Sequence, residues 1–211
     1  MQTKQTSGRG NRRPEFLEVA RKLFFEKGYA GTTIEQVARD AGFSKRTVYL
    51  YFHNKDELFL TVGEEGILMI REQLEAIPVN EQPVEASVAD VLSIYLNFAR
   101  EFPEYFRIIF KESTPEMIKS IPEELRLRLE QHERGCLAVP VSIAKRAREE
   151  GLIGDVDPME VASAFWGAAT GIILLSMGGS QTVFSRSSRE DLVEKAIWLI
   201  FAGLQQTREE G

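Results

Sequence analysis

Residues 32–58 read TTIEQVARDAGFSKRTVYLYFHNKDEL, and the order of caps, apolar positions and one glycine in this stretch decides the fold. Thr32 and Glu35 stand three apart and can form a capping box, each side chain answering a free backbone N–H of a helix start. Ile34, Val37, Ala38 and Ala41 then repeat at helical spacing, giving one short amphipathic helix. Gly42 follows where a helix end and a tight turn favour positive φ, and Ser44 can cap a second helix reaching about Tyr51. Two helices joined by three or four residues make a helix-turn-helix.

Val48 and Phe52 lie four apart and can anchor the second helix to the first. That turns Arg46, Thr47, Tyr49 and Leu50 outward, with Lys45 at the edge. Such a face suits a DNA major groove: Arg and Lys donate to guanine edges or phosphates, hydroxyls bind phosphate, and Leu50 can meet a thymine methyl. Thr33, Ser44, Tyr51 and Lys55 complete the expected DNA-contact set. Asn54 and Glu57 offer a further capping pair, so a long helix is expected from Lys55 to about Ala76, ending before Pro78, with a phosphate at its N-terminus beside Lys55.

The ordered set Ala20, Phe24, Gly28, Thr33, Ile34, Ala38, Ala41, Gly42, Ser44, Thr47, Tyr49, Phe52, Lys55 and Leu58 resembles the N-terminal pattern of the TetR family of transcriptional regulators. The likeness covers about residues 14 to 60; beyond them it is one of helical layout. Leu50 stands where relatives often carry a polar side chain. The resemblance implies dimerisation through the last two helices and a pocket in the C-terminal half, usually for a small hydrophobic or amphipathic molecule.

The chain of 211 residues has a net charge of −6, unevenly spread. Residues 1–56 carry 11 Lys and Arg against 6 Asp and Glu; the rest carry 15 against 26. A basic head can approach phosphates by counterion release while an acidic body is repelled, which orients the molecule on DNA. The single Cys136 excludes an internal disulfide and reads as a core residue, and the polar, basic start is not of signal-peptide type, so a reducing cytoplasm is expected. Two histidines, His53 and His132, lie far apart without partners at ligand spacing, so no metal and no cofactor is expected.

Residues 1–13, rich in Gln, Thr, Gly and Arg, are expected to form a disordered basic arm whose Lys4, Arg9, Arg12 and Arg13 could reach phosphates or a minor groove. Residues 14–60 form the DNA-binding head, opened by a helix with Pro14 in its first turn and Phe16, Ala20, Leu23 and Phe24 on its buried stripe. Residues 61–211 form a helical ligand-binding and dimerisation domain. Gly63 and Gly66 within the long helix point to close packing of a neighbour. Further helices are expected over about 84–100, from Pro103, over 123–150 with a kink at Pro140, from Pro158 behind an Asp157 cap, and over about 189–208. No strand alternation stands out, and the expected fold is all-α.

The apolar run 164–179 is 16 residues long, short of the ~20 a membrane span needs, so no membrane partner is expected. Gly167, Ala168, Gly171 and Leu175 there, with Leu192, Ala196, Leu199 and Ile200 on the last helix, can build a four-helix interface with a second copy. Simple packing within one chain is the alternative. Phe98, Phe102, Tyr105, Phe106, Phe110 and Trp166 supply aromatics for a ligand cavity, or for plain core. No nucleophile–base set, phosphate loop or metal cluster points to an enzyme. The expected function is a homodimeric, ligand-responsive regulator: a repressor released from a near-palindromic operator of double-stranded DNA by a small effector. An activator, or a ligand-independent regulator of the same fold, is the alternative.

Overall fold

The computed structural model describes residues 11–178 and 188–206, and within them every regular element is helical. Lys4 and Arg9 of the expected arm, and the last helix beyond Gln206, lie outside the described residues. Arg13 does not belong to an arm: helix α1 spans Arg13–Lys27 and buries Phe16, Ala20, Leu23 and Phe24 on one face. It stops at Gly28, whose φ of 69° lets its N–H turn back to Phe24 O at 2.9 Å.

The capping box sits one residue later than the sequence pattern suggested. Helix α2, Ile34–Asp40, is capped by Thr33, which accepts from Gln36 N at 3.2 Å while Gln36 Oε1 accepts from Thr33 N at 2.8 Å. Thr32 is instead fully buried, its hydroxyl bonded to Gly28 O at 2.9 Å and Leu23 O at 3.2 Å, where it closes the end of α1. Gly42 takes φ 77°, as the turn requires, and α3, Lys45–Val48, follows from its Ser44 cap. This helix is shorter than expected. From Leu50 the bonding tightens to i→i−3, with Leu50 N to Thr47 O at 3.2 Å and Tyr51 N to Val48 O at 2.9 Å, which winds the chain up and ends it.

Helix α4, Lys55–Glu75, starts at its Asn54 cap and runs unbroken across the expected boundary at residue 60. Its glycines admit neighbours: a Cβ at Gly63 would lie 3.0 Å from Ile108 Cγ2, and one at Gly66 would lie 2.9 Å from Tyr105. Helices α5, Val84–Glu101, and α6, Pro103–Arg107, lead into a π-helical turn, Ile108–Glu112, closed by Ser113 N to Ile108 O at 3.1 Å. Then come α7, Pro115–Ser120; α8, Glu123–Glu149, which continues through Pro140; α9, Pro158–Met177, capped by Asp157; and α10, Arg189–Gln206.

One apolar core joins head to body. Phe24 meets Phe59 of α4 edge-on at 4.9 Å, and the cluster continues through Ile70 and Leu74 to Tyr95, Phe98 and Phe106. A head of this size gains much of its stability from that docking. In the body α4 packs on α8, α8 on α9, and α9 on α10. Helix α9 is longer than its apolar run: at 20 residues and mean hydropathy 1.4 it is long and apolar enough to cross a membrane, so the length argument against a span fails. Residues 158–163 supply the difference, and Val161, Ala162, Ala169 and Ile173 are buried within the body.

Candidate nucleic-acid interface and body cavities

The head presents one continuous polar edge. Val48 and Phe52 are buried and pin α3, which leaves Ser44, Lys45, Arg46, Tyr49 and Leu50 exposed and Thr47 half-buried. Leu50 is 76% exposed, an apolar side chain held in water with nothing of its own chain to cover it. Ser44 Oγ and Thr47 Oγ1 are 2.8 Å apart and share a hydrogen at the start of α3. Thr33 is exposed at the start of α2.

The cations differ in how free they are. Lys45 pairs with Glu35, the residue released from the capping box, which raises the ammonium pKa and lowers the carboxyl. Arg46 has no ion pair or hydrogen bond among the described residues, so its guanidinium is ready for a base edge or phosphate. Lys55 is spent. Its Nζ donates to Tyr29 O at 2.9 Å and Thr32 O at 3.1 Å and lies 3.7 Å from the centre of the Tyr29 ring. Burial lowers its pKa, the expected price of drawing an ammonium off the surface. It clamps the α1–α2 loop to α4 instead of reaching out as expected.

Tyr29 itself is pushed up to about 12, by desolvation and then by its bond to Asp56. Arg13 is likewise turned inward: it donates to Tyr51 O at 2.8 Å, approaches Glu57 at 3.4 Å and covers the Phe52 ring at 4.3 Å. Tyr51 is half-buried with its ring 5.6 Å from Phe16, more a part of the head's packing than of its exposed edge.

Among the described residues, two cavities stand out in the body. The first, among α5, α8, α9 and α10, is lined by aliphatic residues such as Val88, Val91, Ala144 and Ala147 together with the aromatic Tyr95, Phe165 and Phe201, and only about 70 Å³ of it is free. The second has about 370 Å³ and lies between Ile67 and Ile70 of α4, Ile109 and Phe110 of the π-helical turn, α8 and α9. Trp166 borders both, and Phe110 the second.

The other expected pocket aromatics line neither cavity. Phe98 and Phe106 are core at 1% and 0% exposure, Phe102 is half-buried against Phe98, and Tyr105 turns its hydroxyl to Glu65 Oε2 at 2.6 Å. Desolvation, then Glu65, pushes Tyr105 up to about 12. Cys136, in the wall of the second cavity, is buried, and desolvation raises its thiol to about 11.

Along α9 and α10, Gly171, Leu175 and Gly167, the last also bordering the second cavity, are exposed, while Ala168, Leu192, Ala196 and Ile200 are half-buried. Leu199 is 63% exposed, and beside it Trp198, which the spacing argument passed over, is 67% exposed. A Cβ added at Gly167 or Gly171 would meet nothing within 4 Å. Val193 and Ile197 take the inward side of α10.

Residues 16–62 match the family model described as bacterial regulatory proteins, tetR family, and residues 88–198 match that of the tetracyclin repressor-like C-terminal domain. The chain is 29% identical over 156 residues to the HTH-type transcriptional repressor SCO4008 of Streptomyces coelicolor, covering 71% of this chain and 74% of the relative. It is 24% identical over 155 residues to the HTH-type transcriptional repressor NicS of Pseudomonas putida, covering 72% and 70%. Among solved structures, the fatty acid degradation regulator FadR of Bacillus halodurans superposes with a TM-score of 0.68 at 18% identity, covering 94% of this chain and 99% of that one.

Proposed function

The chain belongs to the TetR family of bacterial regulatory proteins and is a DNA-binding transcriptional regulator; from that premise we propose that it acts as a homodimeric, ligand-released repressor in the cytoplasm. The observation that carries the reading is the exposed edge of α3, where Arg46, unpaired among the described residues, stands beside Tyr49 and Leu50 above a fully buried Val48. Arg46 reads a base edge, Leu50 rests on a thymine methyl, and Ser44, Thr47 and Thr33 hold phosphates.

Pairing through α9 and α10 covers Trp198, Leu199 and the glycine-lined side of α9. Two-fold symmetry in the protein then asks for two-fold symmetry in the operator, with recognition helices about 34 Å apart. An effector bound in the body favours a state whose head spacing no longer matches that distance. A hundredfold loss of operator affinity needs about 2.7 kcal/mol of preference for that state.

The test is selection of bound fragments from genomic DNA by the intact protein, followed by titration of a selected fragment and a random duplex with wild type and Arg46→Ala. Arg46→Ala should weaken the selected fragment by about 1–3 kcal/mol and the random duplex far less. Equal losses would reduce Arg46 to a phosphate contact, and no preference for any duplex would overturn the regulator reading. Leu199→Asp should shift sedimentation from dimer to monomer; an unchanged profile would remove the pairing face.

A further inference from the structure

We propose that the effector is a hydrophobic cation, bound in the second cavity against Glu133 and communicated to the head by the π-helical turn Ile108–Glu112. The proposal rests on the regulator reading above and adds to it the ligand's charge, its seat and its route.

Size selects the cavity. The first leaves about 70 Å³, well below the roughly 300 Å³ at which small-molecule sites begin. The second offers about 370 Å³, inside the range of roughly 300–1,000 Å³ of small-molecule sites. Charge selects the occupant. The wall is mostly apolar, with Phe110 and Trp166 rings 6.1 Å apart, and among the described residues that line it Glu133 is the one carboxylate. Among the described residues Glu133 has no ion pair and no hydrogen bond. Its carboxylate is exposed on the solvent side, and partial desolvation, then the neighbouring Glu130, raise its pKa.

Arg71 of α4, whose charge is felt at Cys136 in the wall, pairs with Glu75 at 2.6 Å and with His132 at 3.3 Å and has no ion pair with Glu133 among the described residues. Aromatic faces with an unanswered carboxylate favour an apolar body that carries positive charge, and disfavour an anion.

Position selects the route. The turn that supplies Ile109 and Phe110 to the cavity is flanked by two residues that grip the head. Arg107 Nη2 donates to Phe24 O at 3.0 Å and Phe25 O at 3.4 Å, at the C-terminal end of α1. Glu112 accepts from Tyr29 N at 3.3 Å, and its other oxygen lies 3.1 Å from Arg107 Nε, close in charge though not aligned as a hydrogen bond. A π-helical turn holds one residue more than an α-helical turn would, so pressure on Phe110 can be relieved by a change of register. Any such change moves Arg107 relative to Glu112 and so alters the hold on the end of α1.

The probes are benzyltrimethylammonium and neopentylbenzene, alike in shape and different in charge, titrated calorimetrically into the full chain. Trp166 fluorescence is followed in a Trp198→Phe background. Wild type should bind the cation at least tenfold more tightly than the neutral probe, Glu133→Gln should bring the two within threefold, and cation binding should quench Trp166. Equal affinity for both probes, or cation preference surviving in Glu133→Gln, overturns the site.

The cation should also weaken binding of the selected DNA fragment by wild type at least tenfold. Glu112→Gln should keep cation binding but lose most of that weakening; an undiminished response overturns the route. Failure of the ligand-free protein to prefer any duplex would instead count against the regulator reading, leaving the calorimetric comparison to decide the site.

Discussion

Replacing Gly66 by alanine tests how closely α4, which carries the head, is seated on the body. An added Cβ would lie 2.9 Å from Tyr105 Cβ and Cδ1, well inside the ~3.5–4.0 Å of an optimal carbon contact. Tyr105 Cβ is tied to the backbone of α6, and its ring is held by the hydroxyl bond to Glu65, so neither can retreat alone. Alanine in a helix interior gains about 1 kcal/mol over glycine. Overpacking costs about 1–3 kcal/mol. The balance is a net loss of up to about 2 kcal/mol.

Gly135 in α8 is the control, because a Cβ there would come still closer, 2.6 Å from Arg71 Nε, yet the obstacle is the far end of a flexible side chain. Arg71 can give up a partly exposed pair with Glu75 worth about 1 kcal/mol at most. Gly135→Ala should therefore be neutral to about 1 kcal/mol stabilising. Urea unfolding at one fixed protein concentration, which holds any subunit association constant, gives the comparison. Equal stabilisation by the two substitutions would refute the tight seat of α4 on Tyr105.

Thr33→Ala should cost about 1 kcal/mol of stability in the same assay, whereas Glu35→Ala should change it little, because Gln36 and not Glu35 completes the box; a loss at Glu35→Ala as large as that at Thr33→Ala would restore the box read from the sequence. Lys55→Met should lower stability and leave the salt dependence of DNA binding unchanged, since its ammonium is held by Tyr29 O and Thr32 O; a slope reduced by about one would place Lys55 on a phosphate. Cys136, raised to about 11, should alkylate with a midpoint near that pH and not near 9. The sign for stability follows: the protonated thiol's contribution is complete below about 9 and lost as pH rises toward 11. A native alkylation midpoint near 9 would put Cys136 in water.

Local chemistry made the head legible and tertiary contact limited how far. Thr32 with Glu35 and Thr33 with Gln36 satisfy the same three-residue spacing, and only the burial of Thr32 under the end of α1 decides between them. The inward turn of Lys55 and Arg13 has the same character: each charged group sits over an aromatic ring, Tyr29 or Phe52, that the fold brings from elsewhere in the chain.

In the body, helices were legible from caps and periodicity, down to the close approaches at Gly63 and Gly66. The cavity walls were not. Phe98 and Phe106 are as aromatic as Phe110 and Trp166, and which of them meets empty space depends on how α4, α8 and α9 pack together. Trp198 escaped notice because Val193 and Ile197 claim the inward side of α10, a choice of face that helical spacing alone leaves open.

These contacts also redistribute the charge that suggested a nucleic-acid partner. The head's surplus of positive charge counts Arg13 and Lys55, yet both are committed to carbonyls and rings of the head itself, and Lys45 is shared with Glu35. An exposed pair such as Lys45–Glu35 yields easily to a phosphate, because water and salt already screen it. The two inward cations do not, since releasing them strips hydrogen bonds from the joint between α1, α3 and α4. Short-range phosphate contact therefore falls to fewer cations than the sequence carries, while Arg46, without a side-chain partner among the described residues, keeps the base-reading role proposed for it. A head that turns these basic residues inward holds α3 in one orientation, and in the proposed repressor that fixed orientation is what would carry a change of spacing in the body to the operator.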